Sequence, residues 1–103
     1  MTLTVEIAKA FGTDLSSRQR AAALRLDITS QTVAGNAPVT LDFGGVRTVS
    51  ESFADGAIAV LVAERGEQWF RQNVRLVNLS PLVRLSVLEA VDERCRNTEA
   101  AGA

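Results

Sequence analysis

The 103-residue sequence contains no histidine, no tyrosine and a single cysteine, Cys95. Without histidine, the chain lacks the commonest general base and the commonest metal ligand of proteins. A single cysteine can form neither an intramolecular disulfide nor a cysteine zinc site. A hydrolase or metalloenzyme would have to be built from carboxylates, serines and arginines alone. We therefore expect a protein that is not an enzyme and has no catalytic residues, no metal and no cofactor.

An excess of either charge and a long apolar run are also missing. The formal net charge is −1, and the basic residues are scattered arginines together with one lysine, Lys9. Because nucleic-acid binding needs a concentrated basic face, we expect no nucleic-acid partner. The longest apolar run, residues 57–63, is far shorter than the roughly 20 residues of a membrane span. The N-terminus lacks the basic and then apolar pattern of a signal peptide, so we expect a cytoplasmic protein without membrane contact.

The composition is that of one globular domain. Hydrophobic residues make up 47% of the chain, enough for a core without disulfides or metals. A length of 103 residues fits a single domain over 1–103 and leaves no room for a second. We expect residues from about 97 to 103 to form a frayed tail.

Strands and helices alternate along the chain. A period-two apolar pattern predicts strands at residues 3–8, 39–43 and 74–79, and residues 46–51 are predicted to be a connection. Helical spacing predicts three helices, each begun by a serine: Ser16 or Ser17 before residue 18, Ser52 at the second and Ser80 at the third. This order predicts an α/β fold in which a mostly parallel or mixed sheet of about three to four strands packs against about three helices.

The apolar stripes predict which helix faces are buried. The second helix should bury one stripe and be covered on two sides, since further valines widen its apolar surface. Its stripe consists of Ala54, Ala57, Ile58 and Leu61. The stripe of the last helix is predicted to be Leu85, Leu88, Val91 and Cys95.

The most distinctive segment reads LDFGGV at residues 41–46, followed by SESFAD at residues 50–55. It resembles the signature of STAS-like domains, relatives of the bacterial anti-sigma factor antagonists. In these domains, a strand ends in an Asp-hydrophobic-small-Gly-Val turn, and a serine-rich loop then opens a helix. The resemblance extends over most of the chain, but only this segment is specific. It implies a STAS-like fold and a regulatory protein-interaction domain of signalling and transcription regulation.

The resemblance also implies a partner and a modified serine. In anti-sigma factor antagonists, a kinase that is also the anti-sigma factor phosphorylates the loop serine at the helix start. Ser52 matches that serine and is the phosphorylation candidate, with Ser50 as the second choice. The antagonists carry Asp-Ser-Ser-Gly here, whereas this chain has Ser50 in the aspartate's place and Phe53 in the glycine's place. The implied partner is a histidine-kinase-like ATPase or anti-sigma factor.

We expect the partner to contact the loop and the first helical turn after it. Asp42 should fix the base of the loop, while Gly44 and Gly45 should shape its turn. The predicted partner-binding residues are Val46, Arg47, Thr48, Ser50, Glu51, Ser52, Phe53 and Asp55.

Other interpretations of the same residues stay open. Ser52, with Asp55 three residues later, also fits a capping box, in which its hydroxyl accepts from the amide of residue 54 or 55. Asp42, Glu51 and Asp55 would meet near the carboxyl end of a strand, where ligands bind in open α/β sheets, and three carboxylates could hold Mg²⁺. The alternative function is therefore a small ligand- or metal-binding domain, or an enzyme, that uses carboxylates around residues 42–55. A third alternative is a structural subunit of a homo-oligomer.

Overall fold

The computed structural model describes the backbone of residues 3–102 and the side chains of residues 3–96. Twelve segments follow one another along this part of the chain: β1 (Leu3–Glu6), α1 (Ile7–Phe11), β2 (Asp14–Leu15), α2 (Arg18–Val33), β3 (Val39–Asp42), β4 (Thr48–Val49), α3 (Glu51–Ala54), a π-helical turn (Asp55–Ala59), α4 (Val60–Arg65), α5 (Glu67–Asn73), β5 (Val74–Val77) and α6 (Pro81–Gly102). The segment from α3 through the π-helical turn to α4 is continuous, and we call it helix 51–65.

The central sheet has three parallel strands in the order β1-β3-β5. Its register places Val5 beside Leu41 and Leu41 beside Leu76, so one face of the sheet is apolar and packs on the core. Helices α2 and α6 both pack against helix 51–65. The predicted α/β class and the parallel sheet are confirmed. None of the helices in the described part of the chain is long and apolar enough to cross a membrane.

The structure corrects the prediction for two short segments. β1 ends at Glu6, and Ile7 begins α1 instead of continuing the strand. Ile7 is fully buried at the start of α1, and because an apolar residue at this position also fits a strand, the apolar alternation could not distinguish the two. The predicted connection at 46–51 contains β4, which pairs with β2 in a second, two-stranded parallel sheet. Strands of two residues are too short to show a period, and only their pairing in the folded chain defines them.

Helix 51–65 begins one residue earlier than predicted. Its N-cap is Ser50, whose hydroxyl accepts a hydrogen bond from the Phe53 amide at 3.1 Å. The predicted stripe is buried, and the predicted coverage on two sides is confirmed by α2 and α6. The helix ends at Gly66, whose φ of 93° suits glycine.

The N-terminal serines of the other long helices agree with the sequence. The Ser17 hydroxyl accepts from the Arg20 amide at 3.2 Å, and the Ser80 hydroxyl accepts from the Val83 amide at 3.3 Å. Pro81 is the first helical residue after Ser80. Side-chain caps of this kind satisfy amides that have no partner within the helix.

The buried face of α6 differs from the prediction. Val83, Val87 and Ala90 face the core, whereas Leu85 and Leu88 are 52% and 56% exposed. The remaining two residues of the predicted stripe, Val91 and Cys95, are only partly buried. Both stripes have helical spacing, and the observed one consists of smaller side chains, which let α6 approach helix 51–65 closely. The predicted frayed tail at 97–103 falls on the last turns of α6, which extends to Gly102, and its fraying stays a prediction.

Candidate functional site

The loop between β3 and helix 51–65 starts at Asp42, at the carboxyl end of the central strand. Oδ1 of Asp42 accepts hydrogen bonds from the Gly44 amide at 2.8 Å and from Nδ2 of Asn78 at 3.0 Å. The bond from Asn78, and then the bond from Gly44, hold the pKa of Asp42 below its usual value. Asn78 follows β5 and has a positive φ of 58°. Asp42 therefore joins the first turn of the loop to the end of the neighbouring strand.

Gly44 and Gly45 each suit this turn for a different structural reason. A Cβ on Gly44 would lie 3.0 Å from Oδ1 of Asp42, closer than side-chain atoms normally approach. Gly45 has a φ of 84°, which residues with a side chain rarely adopt. The turn closes with a hydrogen bond from the Val46 amide to the Phe43 carbonyl at 3.0 Å.

The second half of the loop is attached to the segment around β2. The Arg47 amide donates to the Thr13 carbonyl at 2.7 Å, and the Ser50 amide donates to the Leu15 carbonyl at 2.7 Å. Oδ1 of Asp14 accepts from the Thr48 hydroxyl at 2.8 Å, and its Oδ2 lies 3.5 Å from the Arg47 guanidinium. No pattern in the sequence indicates this role for Asp14. The loop thus has a fixed path on both sides of its turn.

Ser50 and Ser52 have different structural roles. The Ser50 hydroxyl caps the helix, whereas Ser52 lies half-buried in the first helical turn. The capping-box interpretation of Ser52 with Asp55 is wrong, because the helix already starts at Glu51 and its N-cap must precede that residue. Over the part of the chain that the structure describes, the Ser52 hydroxyl takes part in no hydrogen bond. Its hydroxyl is therefore left without a structural role.

Asp55, one turn further along, connects three helices. The Arg94 guanidinium binds it as a fork, with Nε 2.8 Å from Oδ1 and Nη2 2.5 Å from Oδ2. Nη1 of Arg18, at the start of α2, lies 3.7 Å from Oδ2. The Arg94 hydrogen bonds lower the pKa of Asp55, and Asp55 in turn raises the pKa of Arg94. The sequence showed no sign of this cluster, because its members lie far apart along the chain.

Glu51 faces a second acidic side chain, Glu93 of α6. The neighbouring Glu51, first as a hydrogen-bonding group and then as a like charge, raises the pKa of Glu93. Together with Ser86, Glu89 and Ala90 they line a shallow groove between the two helices. Close to the loop, the surface on the α6 side is therefore acidic.

The carboxylates proposed for Mg²⁺ do not form one site. Asp42 is hydrogen-bonded to Asn78, and Asp55 is hydrogen-bonded to Arg94. Glu51 is separate from both and neighbours Glu93 of α6. Among the residues that the structure describes, no group of three or more acidic, cysteine or histidine side chains could hold a metal ion.

The predicted partner-binding residues divide by exposure. Arg47, Thr48 and Glu51 are exposed, and Ser50, Ser52 and Asp55 are half-buried. Val46 and Phe53 are 5% and 0% exposed, so their side chains belong to the core and cannot contact a partner. Phe53 packs edge-on against Phe11 in α1, with ring centroids 6.5 Å apart. We call the residues of the loop and of the start of the helix that are not buried, 44–45, 47–48, 50–52 and 55, the loop edge.

One further surface was missed by the sequence analysis. A shallow, partly apolar groove lies between the end of β5 and α6. It was not anticipated because Leu88, which lines it, was predicted to be buried. Its lining residues are Leu76, Asn78, Leu79, Arg84, Val87 and Leu88.

A family model described as a STAS-like domain of unknown function (DUF4325) matches residues 20–84. The match includes β3, the loop, helix 51–65 and β5, which form the central part of the fold just described. No curated protein and no solved structure matches the chain significantly. The resemblance at residues 41–55 is thus confirmed by a match to more than half of the chain, and this protein belongs to the family of STAS-like domains of unknown function.

Proposed function

We propose that this STAS-like domain is a regulatory protein-interaction module whose partner, a histidine-kinase-like ATPase, binds the loop edge and phosphorylates Ser52. The observation that carries the proposal is the Ser52 hydroxyl, which is half-buried in the first turn of a helix and has no structural role among the described residues. The loop beside it has a fixed path, so a partner would meet a surface that is already ordered.

In the proposed reaction, the partner supplies both the phosphoryl donor and the catalytic groups. The Ser52 oxygen forms a bond to the γ-phosphorus of ATP, and the bond from that phosphorus to the bridging oxygen breaks. ADP leaves, and the serine proton passes to a base on the partner. The domain contributes the acceptor and the docking surface, which agrees with a chain that lacks histidine.

The added phosphate is expected to separate the two proteins while the domain stays folded. It brings a charge of about −1.5 to −2, and the N-terminal turn of a helix favours an anion. In the complex, the same phosphate would be buried beside Glu51 without a counter-charge from the partner. Burying such a group costs several kcal/mol, and about 1.4 kcal/mol already lowers affinity tenfold.

The test compares Ser52→Asp with Ser52→Asn, which has nearly the same shape but no charge. Histidine-kinase-like ATPases of the organism that encodes this chain would be purified and titrated with each variant by calorimetry. We expect Ser52→Asp to bind at least about tenfold more weakly than the wild type, and Ser52→Asn to bind nearly as well. Both variants should melt within about 3 °C of the wild type. Equal affinity of the wild type and Ser52→Asp would contradict the proposal.

A further inference from the structure

Arg18 lies where it can reach a phosphate on Ser52, and this placement follows from how two helices pack. α2 and helix 51–65 each connect neighbouring parallel strands, so they run in the same direction. The two helices approach each other tightly at Gly56, where a Cβ would lie 3.1 Å from the Cβ of Ala21. Nη1 of Arg25 also donates to the Gly56 carbonyl at 2.7 Å, which fixes the same register.

α2 also packs against the first turn of helix 51–65, and the register places Arg18 at that level, one turn before the crossing. Arg18 lies three residues before Ala21, and Ser52 lies four residues before Gly56. Both are therefore about one helical turn before the crossing. Ser52 and Asp55 are three residues apart on one helix face, a spacing that brings their Cβ atoms to about 5–6 Å. Since Arg18 already reaches Oδ2 of Asp55 at 3.7 Å, a phosphate on Ser52 would enter its range.

The contacts of Asp55 leave Arg18 able to move. Arg94 binds both oxygens of Asp55, so the carboxylate keeps two hydrogen bonds when Arg18 turns away. The Arg18 side chain is 65% exposed, and its contact with Asp55 is longer than a hydrogen bond. A guanidinium binds phosphate with two parallel hydrogen bonds, which are stronger than a distant ion pair.

We propose that Arg18 binds the phosphate of phosphorylated Ser52 and releases Asp55, which Arg94 keeps in place. The inference rests on the proposed phosphorylation of Ser52 and adds a positioning residue to it. Phosphorylation then changes the loop edge in two ways, because it adds a negative charge and also turns an exposed arginine towards it. The modified state is held by the domain itself and needs no partner.

The test uses the full chain with phosphoserine installed at position 52 through an engineered serine codon, in the absence of any partner. A ³¹P NMR titration gives the second pKa of the phosphate in the wild-type background and in Arg18→Gln, Arg18→Lys and Arg47→Gln. Arg47→Gln is the matched control, since it removes the same charge from an exposed arginine whose own ion pair is with Asp14.

We expect Arg18→Gln to raise the phosphate pKa by at least about half a unit, because the nearby cation favours the dianion. Arg18→Lys should restore part of the shift, and Arg47→Gln should change the pKa clearly less. Equal values for the wild-type background and Arg18→Gln, or equal shifts for Arg18→Gln and Arg47→Gln, would overturn the inference. Because the phosphate is installed without a kinase, this result is independent of whether an ATPase partner binds.

Discussion

Asp42 and Asp55 stand at the two ends of the segment that defines the family resemblance, and they stabilise different things. Asp42 accepts from the amide of Gly44, two residues away, and from Asn78 on the next strand, and its carboxylate is exposed. Asp55 has a side chain that is only 17% exposed and is bound by arginines from two other helices. The first aspartate shapes a turn and the second holds helices together, although both look alike in the sequence.

The largest expected effect is at Asp55. Asp55→Asn removes the charge that Arg94 binds as a fork and that Arg18 approaches from α2. We expect a loss of about 1.5–3 kcal/mol in the free energy of unfolding, measured by urea denaturation at neutral pH. Asp42→Asn is the comparison, and it should cost clearly less because water can replace the lost contacts of an exposed carboxylate. A larger loss of stability for Asp42→Asn than for Asp55→Asn would contradict the view that Asp42 shapes a turn while Asp55 holds helices together.

The pH dependence of stability, compared between the wild type and Asp55→Asn, tests the ion pair between Asp55 and Arg94. The folded-state pKa of Asp55 is lowered, chiefly by the Arg94 hydrogen bonds, so the folded state binds this proton less readily than the unfolded chain. Its stabilisation is therefore complete above the unfolded pKa of about 3.9 and is lost as the pH falls through the lower folded pKa. The difference in stability between the wild type and Asp55→Asn should shrink over that acid range. A constant difference would mean that the charge of Asp55 is not what stabilises the protein.

The next largest effect on stability is expected from the backbone of Asn78, whose side chain donates a hydrogen bond to Asp42. Asn78 has a φ of 58°, a conformation that costs an alanine roughly 1–2 kcal/mol and a glycine almost nothing. Asn78→Ala loses both the hydrogen bond to Asp42 and the favourable backbone, whereas Asn78→Gly loses only the hydrogen bond. We expect Asn78→Ala to be less stable than Asn78→Gly by about 1 kcal/mol in urea denaturation. Equal stabilities would show that the positive φ is not maintained in solution.

The same comparison explains what could be predicted from the sequence. The Asp42 end consists of local features, a strand followed by two glycines, and such features leave a pattern in neighbouring residues. The Asp55 end depends on Arg18 and Arg94, which lie 37 residues before and 39 residues after it. No period or motif connects such positions, so only the folded chain reveals them.

The wrong predictions of the buried stripe of α6 and of the start of helix 51–65 have a related physical cause. α6 carries two apolar stripes at helical spacing, and the choice between them depended on how closely it packs on helix 51–65. The helix was predicted to start at Ser52, and the observed N-cap, Ser50, lies only two residues before it. Ser50 became the cap because its own amide is fixed by the Leu15 carbonyl, a contact that exists only once β2 and β4 pair.

The smallest expected effects separate these two serines. Ser50→Ala removes the hydroxyl that accepts from the Phe53 amide, and loss of such a cap costs about 1 kcal/mol. Ser52→Ala removes a hydroxyl that makes no hydrogen bond within the described part of the chain, so it should change the stability by less than about 0.5 kcal/mol. Urea denaturation of both variants measures the difference, and the reverse order would show that Ser52 is the cap after all. In the proposed phosphorylation, the acceptor Ser52 is a serine that the fold can lose at little cost, whereas modification of Ser50 would change the hydroxyl that accepts from the Phe53 amide.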